Sequence, residues 1–117
     1  MEGLNIFGQS KNPEWNIQYV GKDKRTHRFA LFYQRMNMEL TIGPGGLAAK
    51  LDTVKLGGQV IGKLKSSTFG IPIKGSGSFQ LGNDIIQVEI TASLLWGILK
   101  LTKAIFTDSS GRTIRAI

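Results

Sequence analysis

Apolar and polar residues alternate with a period of two along much of this chain. Trp15, Ile17 and Tyr19 share one face of an extended run, as do Met38, Leu40 and Ile42 further on. His27 to Gln34 is aromatic and β-prone through Phe29, Leu31, Phe32 and Tyr33. Gln59 to Leu64 and Ile85 to Thr91 read as strands, and Phe69 to Ile73 and Ser78 to Leu81 as two short ones around Gly75-Ser76-Gly77. Ala104 to Thr107 and Thr113 to Ala116 flank Asp108-Ser109-Ser110-Gly111-Arg112, a loop of hairpin length.

Glycine marks where these runs stop. The clusters fall at Gly43-Pro44-Gly45-Gly46, Gly57-Gly58, Gly75-Ser76-Gly77, Gly82-Asn83-Asp84 and Ser109-Ser110-Gly111. Gly-Gly between two β-prone runs is a hairpin signal, because such turns need positive φ. Lys22-Asp23-Lys24-Arg25 supplies a further, charged turn. The spacing predicts a mainly β fold: a small single-domain antiparallel β-sandwich or open barrel of about seven to nine short strands. The alternative is α+β. Leu47, Leu51 and Val54 have helical spacing, as do Leu95, Leu99, Thr102 and Phe106, which would place short helices near 47–56 and 94–106. Gly97 inside the second argues against it, since a mid-helix Gly costs roughly 1 kcal/mol relative to Ala.

Two segments resemble each other. Glu39-Leu40-Thr41 matches Glu89-Ile90-Thr91, and Lys50-Leu51 matches Lys100-Leu101, both at an offset of 50. Gly57-Gly58-Gln59-Val60-Ile61 then answers Ser110-Gly111-Arg112-Thr113-Ile114. An internal repeat with halves at about 38–64 and 88–117 is the expectation. Met38-Glu39-Leu40-Thr41 with Gly57-Gly58, and Val88-Glu89-Ile90-Thr91 with Gly111, resemble the small duplicated β-sandwiches of the Fas apoptotic inhibitory molecule family. This chain departs from that pattern with Gly-Gly and Ser-Gly where an acidic-Gly turn is expected. The resemblance implies a duplicated sandwich and brings no function with it.

A length of 117 residues fits one domain over 1–117, with 1–13 expected as a loosely ordered N-terminal segment. The chain has no Cys, which removes disulfide and thiolate-metal scaffolds. The N-terminus lacks the pattern of a secretory signal, and the longest uncharged apolar stretch, Ile90 to Leu99, is too short for a membrane-spanning helix. A soluble, cytoplasmic protein is the expectation.

Candidate chemistry is sparse. A single His and no Cys leave no zinc ligand set, and Arg25 and Arg28 around His27 repel a cation. A Ser-His-acid triad would have to use His27, and Gly75-Ser76-Gly77-Ser78 lacks the spacing of a nucleophile elbow and reads as a hairpin loop. Gly43-Pro44-Gly45-Gly46-Leu47-Ala48 has the outline of a dinucleotide-binding turn, without the acidic residue expected about 20 positions on. Glu39 and Glu89 read as surface acids facing Lys or Arg on a neighbouring strand. No enzyme activity, cofactor or metal is expected.

The net charge of +7 favours acidic partners. Lys22, Lys24, Arg25, His27 and Arg28 form a basic cluster beside Phe29, Phe32 and Tyr33, with Arg112 and Arg115 as its extension. That combination would suit phosphates and stacked bases, although the rings also fit a core. Leu94-Leu95-Trp96-Gly97-Ile98-Leu99 with Lys100 and Lys103 has the composition of an interfacial membrane segment, and equally of a buried strand. The leading expectation is a non-enzymatic binding module for another protein or a second copy of itself, through a sheet edge or an apolar patch. Nucleic acid and a membrane surface are the alternative partners.

Overall fold

The computed structural model describes residues 14–46, 51–66, 73–95 and 98–117. They form nine strands: β1 (Trp15–Asp23), β2 (Thr26–Tyr33), β3 (Met36–Gly43), β4 (Thr53–Leu56), β5 (Gln59–Ser66), β6 (Ile73–Leu81), β7 (Asp84–Leu95), β8 (Ile98–Thr107) and β9 (Thr113–Arg115). Each strand pairs antiparallel with the next, so one sheet runs as a meander from β1 to β9. The sheet curls until β1 comes against β9, with no backbone ladder between them. The fold is mainly β, as a nearly closed barrel.

The period of two fixes which residues face inward. Trp15 and Ile17 of β1, Phe29, Leu31 and Tyr33 of β2, and Leu40 and Ile42 of β3 are buried, and the residues between them are mostly exposed. Phe79, Leu81, Ile86, Val88 and Ile90 continue the lining through β6 and β7, and Ala104 and Phe106 through β8. Phe106 meets Phe29 edge-on at 5.5 Å and Phe79 at 6.4 Å, which ties β8 to β2 and β6 through the middle. Bulges between Tyr19 and Gly21, Val54 and Lys55, and Thr91 and Ala92 add the bends that closure requires.

The meander gathers its connections at two ends. One end holds Trp15, the turns at Gln34-Arg35, Gly57-Gly58 and Gly82-Asn83, and the loop 108–112. There Trp15 Nε1 donates to Asp108 Oδ2 at 2.8 Å, and Tyr33 Oη lies 2.9 Å from both the Leu81 carbonyl and the Asp84 carboxylate. These contacts join β1 to the β8–β9 loop and β2 to the β6–β7 turn. The opposite end holds the Lys24-Arg25 turn, the ends of β3, β5 and β7, and the starts of β4, β6 and β8.

Three expectations change. The short helices of the α+β alternative, near 47–56 and 94–106, are not found among the described residues: Thr53–Leu56 is β4, and the second segment is the end of β7 and most of β8. Residues 47–50 and 96–97 lie outside the described residues. Cross-strand pairing overrode the helical spacing, with Ile42 against Val54 and Ile90 against Ala104. Gly75-Ser76-Gly77 is not a loop but the middle of β6, paired with both β5 and β7. A Cβ at Gly75 would come 3.0 Å from Ile90 Cγ1, and one at Gly77 would run into the Lys63 carbonyl. These glycines serve close approach within the sheet rather than a turn. The charged turn at 22–25 narrows to Lys24-Arg25, because β1 continues to Asp23. The N-terminal expectation over 1–13 lies outside the described residues.

The matched segments at 38–64 and 88–117 begin in β3 and β7 and end beyond a Gly turn in β5 and β9. In a continuous meander any three successive strands have this form, so the topology does not distinguish a duplication from a simple up-and-down sheet.

Candidate functional site

The seven basic candidates do not form one surface. Lys22, Lys24 and Arg25 are exposed together at the β1–β2 turn. Arg28 is exposed on β2, where its Nε donates to Glu39 Oε2 at 2.6 Å. The expected acid–base pairing across strands is thus present for Glu39. Arg112 and Arg115 belong to the other end of the barrel, about 25 Å along β1 at ~3.3 Å per residue. The Arg112 guanidinium sits 5.7 Å from the centre of the Trp15 ring, and Arg115 Nε donates to the Ile117 carbonyl at 2.6 Å. Phe29 and Tyr33 lie in the core rather than beside the cations.

His27 is the candidate placed most differently. Two residues before Phe29 on the same strand, it faces inward and is 1% exposed. Its Nδ1 shares a 2.8 Å hydrogen bond with Tyr19 Oη, and its Nε2 has no partner. Burial, with a smaller contribution from Lys22, lowers its pKa from 6.5 to about 4, so the ring is neutral near pH 7. Burial also raises the pKa of the Tyr19 hydroxyl.

Among the described residues, polar side chains line two surface recesses. The larger, about 320 Å³, crosses β6, β7 and β8 and is lined by Lys74, Ser76, Glu89, Thr91 and Lys103 over Gly75 and Ile90. Register explains it: Lys74, Thr91 and Lys103 are aligned across three strands, and Ser76 and Glu89 form the next row. The smaller, about 140 Å³, lies among Thr26, Thr41, Gly43, Pro44, Thr53 and Lys55. Gly45 of the dinucleotide-like run instead donates its N–H to Asp52 Oδ1 at 3.0 Å. Among the described residues no three His, Cys, Asp or Glu side chains come together to hold a metal.

Sequence reasoning missed the seam. β9 pairs only with Ile105–Thr107 of β8, and Ala116 N–H extends this by one bond to Ala104. β9 therefore fills the space between β1 and β8 only near Trp15. Towards Lys24, Tyr19–Asp23 of β1 and Lys100–Lys103 of β8 each have a ladder on one side alone, among the described residues. The short last run, Thr113 to Ala116, was the one sequence signal for it. No family model, curated protein or solved structure matches this chain.

Proposed function

We propose that this chain is a non-enzymatic binding module that takes up an extended segment of another protein chain, a second copy of itself included, as an added strand at the seam. The observation that carries this reading is the pair of one-sided edges on β1 and β8, the break in an otherwise continuous ladder. An incoming strand would find backbone donors and acceptors along an edge, and main-chain hydrogen bonds would supply the affinity. Lys22, Lys100 and Lys103 beside the seam favour an acidic segment. Nucleic acid is the weaker reading, because the cations are divided between two ends and two of the three rings beside them, Phe29 and Tyr33, are core.

Sedimentation across a range of concentrations, with selection from a displayed peptide library, tests this. Self-association or a selected extended peptide is expected, with amide exchange slowed in residues 19–23 and 100–103. Gln18→Lys combined with Val20→Lys, both exposed on β1, should abolish binding without lowering the melting temperature. A strict monomer that retains no peptide, or protection confined to another face, refutes the reading.

A further inference from the structure

The glutamate and threonine of the two matched segments are set among cations in the same way twice. Arg28, Thr41 and Lys55 are aligned across β2, β3 and β4, and Glu39 stands two residues before Thr41. Lys74, Thr91 and Lys103 are aligned likewise across β6, β7 and β8, and Glu89 stands two residues before Thr91. Residues two apart on a strand share a face, so each glutamate lies diagonally from two cations. In the first set Arg28 closes on Glu39 at 2.6 Å. In the second, Glu89 joins no ion pair and accepts no hydrogen bond among the described residues. The recess of about 320 Å³ lies open among Glu89 and the two lysines.

Its size and its groups are those of a small-ligand site. The volume falls at the lower end of the roughly 300–1,000 Å³ of ligand pockets. With about 4.8 Å between strands, Lys74 and Lys103 start about 10 Å apart, and both flexible stems reach over Thr91. That row offers two ammonium groups and a hydroxyl to carboxylates. In the next row Glu89 and the Ser76 hydroxyl offer acceptors to an ammonium group. Lys65, opposite Ser76 on β5, and Arg115, opposite Ile105 on β9, add positive charge at the rim, although Arg115 Nε is taken by the Ile117 carbonyl. No aromatic ring of a described residue lines the recess, so nothing described there stacks a base.

We infer that this recess binds a free acidic amino acid, glutamate or aspartate. Two carboxylates and one ammonium group answer, charge for charge, two lysines and one glutamate. The carboxylates lie with Lys74, Thr91 and Lys103, and the ammonium group with Glu89. A phosphate brings negative charge against Glu89 with no cation of its own to offset it, and a neutral sugar leaves all three charges unanswered. Lys74 and Glu89 take no part in the seam, so this site and the strand-adding edge stand or fall separately.

Titration of the full chain with glutamate at constant ionic strength, followed by amide NMR shifts, tests it. Saturable shifts should gather at residues 74–76, 89–91 and 103, with half-saturation at about 1–10 mM, as suits a few charge contacts in a half-open site. Glutamine, one carboxylate short, should bind roughly tenfold more weakly, and so should glutarate, which has no ammonium group for Glu89. Lys74→Met should weaken glutamate binding by a similar factor. Glu89→Gln should weaken glutamate but strengthen glutarate, reversing the preference. Circular dichroism melting checks that both variants fold. Equal binding of the three ligands by the wild-type chain overturns the inference, as do shifts on another face. So does a folded Glu89→Gln chain that keeps the wild-type preference. If a variant fails to fold, the ligand series on the wild-type chain decides.

Discussion

The imidazole of His27 has one hydrogen bond, to Tyr19, and a buried nitrogen without one. Its pKa in the folded chain is about 4, against 6.5 when exposed. The neutral ring therefore contributes stability in full above pH 6.5, and that contribution is lost as pH falls from 6.5 towards 4, where the unfolded chain binds a proton that the folded chain refuses. The shift sets an upper limit of ~3 kcal/mol, and solvent screening near the Lys24 turn reduces it to ~1–2 kcal/mol. Urea unfolding at pH 7.5 and 4.5 should show this loss, and His27→Phe should remove most of the difference. If the variant keeps the full acid sensitivity, another group is responsible. The ring's inward position was legible, since it lies two residues before Phe29; the arginines around it drew the reading to the surface. The Gln34-Arg35 turn was less legible. It has φ of +50° and +65° without a glycine, in a region where L side chains cost roughly 1–2 kcal/mol each. Arg35→Gly should raise stability by about 1 kcal/mol in the same measurement. A destabilised variant would mean that the Arg35 side chain holds the turn.

At the level of elements, the hairpins that glycine marks were readable because few residues accept the required φ. Gly57 and Gly58, at +58° and +87°, join β4 to β5 where Gly-Gly predicted it. The same residue type misled in β6, because a glycine needed for space has the same letter as one needed for φ. Gly77 packs against the Lys63 carbonyl and the Leu64 side chain, so Gly77→Ala should cost about 2–3 kcal/mol by forcing β5 and β6 apart. Gly46→Ala, where an added Cβ meets nothing within 4 Å, should change stability by less than about 0.5 kcal/mol. Thermal melts of the pair separate the two roles, and equal effects would show that β6 yields to a methyl group. The helical spacing at 94–106 failed for another reason. A buried strand with apolar residues at consecutive positions satisfies several periodicities at once, and only its partners choose among them.

Over the whole molecule, the decisive contacts join residues far apart in sequence, and no local pattern announces them. Trp15 begins the first strand and Asp108 follows the eighth, yet they share a buried hydrogen bond. Asp108 Oδ1 also accepts from Ser110 N–H at 3.0 Å, Ser110 Oγ at 2.6 Å and Arg112 N–H at 2.9 Å. Burial acts to raise its pKa, but the hydrogen bonds outweigh it and hold the carboxyl below its ordinary 3.8. The carboxylate thus stabilises the fold above about pH 3.8, and the contribution disappears as pH falls through the lowered value. Since β1 has no ladder with β9, this one side chain does much of the work of closing the barrel there. Asp108→Ala should cost about 3 kcal/mol, because it strands several buried donors at once. Trp15→Phe should cost about 1–2 kcal/mol, as it removes one donor and keeps the ring's bulk. The loss should also be uneven: amide exchange in β1 and β9 should quicken before that in β5–β7, which have a paired strand on each side. Uniform acceleration across all nine strands would mean that the barrel opens as one unit, and that the seam is as firmly held as the rest of the sheet.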